Sequence, residues 1–224
     1  MGRMVVIEGL DGSGKATQAE LLSQYLKENG HEIYNLDLPF YSDSSSTLVK
    51  MYLNGELGDK PSDVNAYAAS TFYAVDRYAS FKKHWQKEYD SEKITVANRY
   101  TTSNAAHQMT KLPENEWDAY LEWLFEFEYE KIGIPKPDCV IYLDMPVDIS
   151  QKLLLKRYSG DENKKDVHER DVEYLSSCHK AAVYAAEKLG WEVIKCGENG
   201  EPFTVDYISK KVCDTVERVL FDND

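Results

Sequence analysis

The chain has 224 residues, 26 of them basic and 39 acidic, and its formal charge is −13. This negative charge repels the phosphates of DNA and RNA, and no stretch approaches the roughly 18 apolar residues of a membrane span, which argues against a nucleic-acid polymer and a membrane as partners. The four cysteines lie far apart without a Cys-x-x-Cys pair, and no signal-peptide core stands near the N-terminus, so we expect reduced thiols in a cytoplasmic protein.

The first predicted unit is a strand, a glycine-rich loop and a helix. Residues 4–8 form an apolar run that predicts a buried strand, and the apolar positions of residues 18–26 recur at helical spacing. Residues 9–15 follow the pattern Gly-x4-Gly-Lys, in which backbone N–H groups, a helix N-terminus and one lysine hold the phosphates of a nucleoside triphosphate. The residues expected to bind them are Gly9, Asp11, Gly12, Ser13, Gly14, Lys15, Ala16 and Thr17. The alternative is a glycine-rich turn that binds no ligand.

Further strands alternate with helices along the chain. Strands are predicted at residues 31–38, 92–98, 139–144 and 191–196, the third of these being a continuous apolar run between proline signals. Helices are predicted at residues 46–54, from 62 to about 89, directly after residue 100 to about 110, at 114–131, from 145 to about 158, at 172–189 and at 205–220. A loop is predicted at 197–202. The crossover rules then predict a parallel five-stranded sheet with helices on both faces. Because no linker or repeat interrupts the pattern, residues 1–224 are expected to form one domain.

Two positions on the predicted sheet and helices offer groups for an anionic aromatic ligand. Tyr73 and Arg77 lie four residues apart on one helix, where a ring and a guanidinium could stack on a base and hydrogen-bond to it. The alternative is that Tyr73 packs in the core and Arg77 pairs with an acid. Arg99 directly follows a strand, where a cation could meet a ligand at the carboxyl edge of the sheet, or form an ordinary surface ion pair.

Two further segments carry polar or charged side chains that need not bind a ligand. Ser103, Asn104, His107 and Gln108 share one helix at spacings of three and four residues, which suits either the reading of a base edge or a polar helix face. Residues 156–170 are dense in charges of both signs around a loop composition, which is typical of a solvated turn.

Four motifs in order resemble the thymidylate kinases: residues 9–15, residues 72–77 (Phe-Tyr-Ala-Val-Asp-Arg), residues 98–108 (beginning Asn-Arg-Tyr) and residues 142–146 (Tyr-Leu-Asp-Met-Pro). The resemblance covers most of the chain. It implies a P-loop NTPase-type three-layer sandwich that transfers the γ-phosphoryl group of ATP to dTMP with Mg²⁺, in a homodimer. The long helix from residue 62 is compatible with such a dimer, although its apolar face could equally be buried within one subunit.

The resemblance also implies roles for individual residues of the acceptor site. Tyr73 matches the ring under thymine, Arg77 the arginine at the base carbonyl, and Asn104 a base-reading position beside Gln108. Arg99 matches the arginine that holds the acceptor phosphate, His107 stands where many members carry a tyrosine that crowds out a ribose 2′-hydroxyl, and Asp11 matches the acid near the sugar 3′-hydroxyl. Asn98 and Tyr100 complete the set expected to bind the substrate.

This sequence departs from the family pattern at three positions. Ala16 lacks the hydroxyl that assists Mg²⁺, although Thr17 follows it, and Asn98 replaces an aspartate, so the metal ligands stay unassigned. Gly12 stands where one branch carries an arginine, which resembles the branch whose lid supplies the catalytic cations. The resemblance thus implies a lid at about residues 156–170.

Lys15 and Arg99 are expected to act with cations of this lid in catalysis. The candidates in the lid are Arg157, Lys164, Lys165 and Arg170, with Arg157 or Arg170 preferred as the arginine finger. The alternatives to a dTMP kinase are a kinase of another pyrimidine deoxynucleoside monophosphate and a catalytically weak nucleotide-binding relative.

Overall fold

The computed structural model describes residues 2–157 and 172–222, and a five-stranded sheet lies at its centre. The strands are β1 (Arg3–Gly9), β2 (Ile33–Asp37), β3 (Ile94–Asn98), β4 (Cys139–Asp144) and β5 (Glu192–Lys195). They pair in the order β2-β3-β1-β4-β5, and every pair is parallel. The predicted parallel sheet with five strands is therefore confirmed.

Helices fill the connections between the strands. They are α1 (Lys15–Glu28), α2 (Thr47–Leu53), α3 (Ala66–Ser80), α4 (Gln86–Asp90), α5 (Thr102–His107), α6 (Trp117–Phe125), α7 (Val147–Arg157), α8 (Val172–Leu189) and α9 (Val205–Leu220). Helices α8 and α9 have the predicted bounds. Asn65 starts α3 later than the pattern indicates, because its side chain accepts a hydrogen bond from the N–H of Ala68 at 2.9 Å and so caps the helix.

Two predicted helices contain π-helical turns, and the predicted loop at 197–202 contains a small hairpin. The π-turns are Phe81–Trp85, between α3 and α4, and Glu126–Ile132, after α6. Apolar periodicity does not detect them, since a π-turn adds only one residue to a helix. The hairpin pairs Gly197–Glu198 with Glu201–Pro202, strands of two residues each that are too short to show an alternating pattern.

Strand β1 contributes to the core on both faces of the sheet. Val5 and Ile7 pack on one face with residues of α1 and α9, while Met4 and Val6 pack on the other with Trp85. All four side chains of β1 are fully buried, as expected for the central strand of a parallel sheet covered on both sides.

The register of β1 and β3 determines where the loops meet. Ile7 is paired with Asn98, and the N–H of Arg99 donates to the carbonyl oxygen of Ile7 at 3.2 Å. The loop after β1 and the residue after β3 therefore leave the carboxyl edge of the sheet side by side. Within the described residues no helix is both long and apolar enough to cross a membrane, and all four cysteines are buried free thiols.

Candidate active site

The loop between β1 and α1 turns at two glycines. Gly12 and Gly14 have φ values of +82° and +88°, a region that favours glycine. A Cβ atom on Gly12 would lie 2.6 Å from the carbonyl oxygen of Ser150 in α7, whereas one on Gly14 would have no neighbour within 4 Å. Gly12 therefore lets α7 pack directly on the loop, and an arginine at this position would have to displace α7.

Lys15 is the first residue of α1, and its side chain folds back over the loop. Its Nζ donates to the carbonyl oxygen of Leu10 at 2.8 Å and lies 3.5 Å from Oδ1 of Asp11. Burial and the charge of Arg99 lower the pKa of Lys15 to about 8, against the opposing effects of Asp11 and Glu8. A buried cation beside a helix N-terminus is an arrangement suited to bind phosphate.

The other polar residues of the loop do not build a metal site. The Ser13 hydroxyl is buried without a hydrogen-bond partner among the described residues, and Ala16 and Thr17 are exposed in the first turn of α1. Ala16 has no side-chain oxygen, and the described part of the chain contains no group of three His, Cys, Asp or Glu residues placed to hold a metal ion. The described residues therefore do not by themselves provide a closed cage of protein ligands for Mg²⁺.

A cavity of about 200 Å³ opens beside the loop, between α3, α5 and the residues that follow β2. Its lining consists of Asp11, Leu38, Pro39, Tyr41, Leu53, Tyr73, Asp76, Arg77, Arg99, Tyr100, Ser103, Asn104, His107, Gln108 and Tyr174. Every residue that the sequence places at the substrate is in this set except Asn98. The side chain of Asn98 instead donates to Oδ1 of Asp37 at 2.8 Å, at the end of β2.

Arg99 provides a fixed cation in the cavity. It has φ +69°, which is unusual for a residue with a side chain, and its guanidinium pairs with the carboxylate of Asp11 and approaches Oε1 of Glu8 to 4.0 Å. Burial opposes the charge of Arg99, but Asp11 and Glu8 outweigh this effect and raise its pKa. Burial likewise raises the pKa of Asp11, but the charges of Arg99 and Lys15 prevail and hold it well below its usual range.

Glu8 is a buried carboxylate whose role the sequence analysis missed. It is fully buried at the end of β1 and accepts hydrogen bonds from the N–H of Gly9 at 2.9 Å, the hydroxyl of Thr102 at 2.9 Å and the hydroxyl of Ser103 at 2.7 Å. It thus joins the phosphate loop to the start of α5. The signal in the sequence is one acidic residue at the end of an otherwise apolar run.

Arg77 forms the ion pair that one interpretation expects, and it also lies in the wall of the cavity. Its guanidinium is only 3 % exposed and pairs with Glu128, with Nε at 2.7 Å from Oε2, yet it also lines the cavity. Burial lowers the pKa of Arg77, but attraction to Glu128 outweighs burial and raises it. Tyr73 lies one turn earlier in the same wall, and burial raises the pKa of its hydroxyl.

Helix α5 contributes amide groups to the cavity. The Nδ2 atom of Asn104 lies 3.4 Å from the carbonyl oxygen of Ser70 and 3.4 Å from Oε1 of Glu128. Gln108 is buried, and its Oε1 has no hydrogen-bond partner among the described residues. A buried acceptor in the lining of a cavity is suited to a ligand N–H or O–H donor.

His107 lies between Arg99 and helix α8. Its Nε2 is 3.5 Å from Nη1 of Arg99, and its Nδ1 is 3.6 Å from Sγ of Cys178. The hydroxyl of Tyr174 donates to the carbonyl oxygen of His107 at 3.4 Å, which brings α8 into the wall of the cavity. No motif in the sequence identifies Tyr174, since the contact joins residues 67 positions apart.

Asp76 and Tyr100 support the walls. The buried carboxylate of Asp76 accepts from the N–H of Phe40 at 2.8 Å and the hydroxyl of Ser45 at 2.6 Å, and so anchors the loop that carries Pro39 and Tyr41. The hydroxyl of Tyr100 donates to the carbonyl oxygen of Pro135 at 2.8 Å, so this group holds the wall in place. No local pattern in the sequence identifies Asp76, since its two contacts join residues 36 and 31 positions apart.

The described residues include one of the expected lid cations. Arg157 is exposed at the last position of α7. Lys164, Lys165 and Arg170 lie outside the described residues, as does most of the predicted lid at 156–170.

Comparison with known proteins identifies similar chains. The family model described as "Thymidylate kinase" matches residues 7–202. A thymidylate kinase of Mycobacterium tuberculosis (strain H37Rv) is 32% identical over 193 residues, which cover 84% of this chain and 87% of that protein. A probable thymidylate kinase of Pyrococcus abyssi is 31% identical over 146 residues, 65% of this chain and 66% of that protein. The solved structure of a thymidylate kinase from Candida albicans has a TM-score of 0.69 at 19% identity, covers 96% of this chain and 91% of that one, and shows the shared fold.

Proposed function

This chain belongs to the thymidylate kinase family, and we propose that it transfers the γ-phosphoryl group of ATP, supplied as its magnesium complex, to dTMP and produces dTDP. The observation that carries the proposal is the position of the cavity directly beside the phosphate loop. Lys15 begins α1 directly after the loop, Arg99 lines the cavity, and their charges are close enough to affect each other. Two phosphate-binding cations side by side suit a donor and an acceptor phosphate that react with one another.

The loop residues hold the triphosphate in this proposal. Backbone N–H groups of residues 9–17 and the N-terminus of α1 surround the phosphates, and Lys15 contacts their terminal oxygens. The described residues contain no group of three His, Cys, Asp or Glu side chains that could hold a metal ion, so Mg²⁺ would bind chiefly through ATP and would offset the negative charge of its phosphates.

The cavity holds dTMP with its phosphate at Arg99 and its base at Arg77. Tyr73 stacks on thymine, Arg77 donates to a base carbonyl oxygen, and Asn104 and Gln108 read the N–H edge. Asp11 and His107 lie beside Arg99 and face the sugar and phosphate. Asn98 stays in the proposed substrate set, with its amide nitrogen held by Asp37 at the end of β2.

Transfer itself requires alignment and positive charge on the migrating group, with little covalent help from the protein. Arg99 aligns the acceptor phosphate, and a lid over residues 156–170 adds an arginine finger, Arg157 or Arg170. The whole chain acts as one nucleoside monophosphate kinase domain. The four buried free thiols support a cytoplasmic location.

We also propose a homodimer through α3. Tyr67, Val75 and Tyr78 are 38%, 43% and 42% exposed, and their spacing places them on one face of this helix. A stripe of exposed apolar side chains on one helix face is suited to a partner surface.

The test is the acceptor profile of the purified protein with ATP and Mg²⁺. ADP release should be fastest with dTMP and slower with dCMP or a purine monophosphate. Release that is fastest with dCMP would instead establish a kinase of another pyrimidine monophosphate, and no release with any acceptor would exclude the enzyme. An Arg99→Ala preparation controls for contaminating kinases. Loss of one charge-stabilising group should lower its kcat/KM for dTMP about 100-fold.

A further inference from the structure

Glu128 is a buried charge without a place in the reaction described so far. It lies in the π-turn Glu126–Ile132, is 0% exposed and does not line the cavity. Glu126 and Glu130, two residues away on either side, are exposed. Burying a single carboxylate is costly unless it is paired, so its contacts indicate what it does.

The contacts of Glu128 are with two residues of the cavity wall. Its Oε2 accepts from Nε of Arg77 at 2.7 Å, and its Oε1 accepts from Nη2 of Arg77 and faces Nδ2 of Asn104 at 3.4 Å. An ionised carboxylate can only accept hydrogen bonds. Two hydrogen bonds to Glu128 therefore fix the orientation of the Arg77 guanidinium. For the same reason Asn104 must turn its amide nitrogen towards Glu128.

The orientation of Asn104 determines what the wall offers to a ligand. Its Nδ2 lies between two acceptors, Glu128 and the carbonyl oxygen of Ser70. The side-chain Oδ1 of Asn104 is then the atom left for the cavity, while Arg77 can offer only N–H donors. The wall thus presents a donor next to an acceptor.

We propose that Glu128 is a positioning residue that fixes this order of donor and acceptor, and that it thereby makes the enzyme select thymine over cytosine. The inference rests on the proposed function. Thymine presents a carbonyl acceptor at C4 and an N–H donor at N3, which complement Arg77 and Asn104. Cytosine presents an amino donor at C4 and an unprotonated nitrogen at N3. Its amino group would therefore face the N–H donors of Arg77, and its N3 acceptor would face the acceptor oxygen of Asn104.

The direct test is Glu128→Gln, which keeps the shape and replaces one oxygen by an NH₂ group. This group can donate to Oδ1 of Asn104, which removes one of the two acceptors that hold Nδ2 of Asn104 and favours the flipped amide, with its nitrogen towards the cavity. The ratio of kcat/KM for dTMP to that for dCMP should fall at least about tenfold, through a higher KM for dTMP and a lower KM for dCMP. A merely structural role would lower kcat/KM for both substrates alike and leave the ratio unchanged, which would overturn the proposal.

Two further variants complete the experiment. Glu126→Gln makes the same chemical change in the same π-turn, at an exposed carboxylate paired with Lys131 at 2.9 Å, and should leave the ratio unchanged. Glu128→Asp keeps a group that only accepts, so it should retain the preference for dTMP even if both rates fall. A loss of the preference for dTMP in Glu128→Asp refutes the proposal. This test still applies if Glu128→Gln shows no cooperative thermal unfolding and therefore does not fold.

The failure of the proposed function has a different signature. A wild-type protein that binds dTMP without turnover would refute the kinase reaction. Calorimetric affinities of wild type and Glu128→Gln for dTMP and dCMP would then still test the role of Glu128. A preference for dTMP that the substitution leaves intact would count against it.

Discussion

At Lys15, burial and the charge of Arg99 act in the same direction, and they lower the pKa of the ammonium group from 10.5 to about 8. The unfolded chain therefore binds more protons at this residue between pH 8 and 10.5. The cost of holding Lys15 charged in the folded protein is present below pH 8 and is relieved as the pH rises through this window.

The same pKa predicts a pH dependence of activity. We expect kcat/KM for ATP to decline as the pH rises through about 8, because Lys15 loses the proton that makes it a phosphate-binding cation. Steady-state kinetics between about pH 7 and 9.5, with dTMP saturating, measure this profile. A flat profile over this interval would contradict the role given to Lys15.

Lys111 offers a matched control. Burial lowers its pKa to about 8 as well, but its Nζ donates to the hydroxyl of Tyr52 at 2.9 Å and the carbonyl oxygen of Val64 at 2.8 Å, and it does not line the cavity. The decline should therefore persist in Lys111→Met. If the decline disappeared in Lys111→Met, the titrating group would be Lys111 and not Lys15.

Among the secondary structure elements, the contact between the phosphate loop and α7 depends on Gly12. Gly12 and Gly14 have nearly the same backbone conformation, but only Gly12 faces α7, where an added Cβ would lie 2.6 Å from the Ser150 carbonyl oxygen and 2.9 Å from Cγ of Leu154. Substitutions at these two positions therefore distinguish the cost of backbone strain, which they share, from the cost of packing against α7, which only Gly12 has.

We expect Gly12→Ala to destabilise the protein more than Gly14→Ala. Both place alanine at a positive φ, at a cost of about 1 kcal/mol, while Gly12→Ala adds an overpacking cost of about 1–3 kcal/mol against α7. Thermal unfolding of the two ligand-free variants should differ by several degrees, roughly 2–4 °C per kcal/mol for a chain of this size. Equal Tm values would mean that the loop and α7 are not in contact at Gly12.

For the whole molecule, the apolar stripe on α3 predicts self-association. The wild-type protein should have twice the 25.7 kDa mass of one chain in light scattering after gel filtration. Tyr78→Lys places a charge on the stripe and should shift the mass towards that of one chain. Tyr207→Lys is the control, since Tyr207 is 49% exposed on α9, away from this helix, and its replacement should leave the mass unchanged. A wild-type protein with the mass of one chain would refute the dimer.

The sequence by itself determined the five strands, the bounds of two helices and the glycine turn between β1 and α1. Strand β4 and helices α8 and α9 have their predicted bounds, because apolar periodicity, proline and glycine act within a few residues. The glycines and Lys15 indicate a phosphate site because they are contiguous in sequence, so that a single turn and the start of a single helix fix their arrangement. Arg77 shows the limit of this reasoning: its spacing fitted both an ion pair and a ligand contact, and the structure shows the ion pair with Glu128 in the lining of the cavity.

Only the tertiary structure decided which distant residues meet. The pairs Arg77 with Glu128 and Asp11 with Arg99 are separated by 51 and 88 positions, and the excess of acidic residues gave no indication of which carboxylate would be buried. Asn98 lies outside the lining of the cavity because the register of β2 and β3 places it beside Asp37. Such contacts depend on the register of strands and the packing of helices across the whole sheet, which no local pattern encodes.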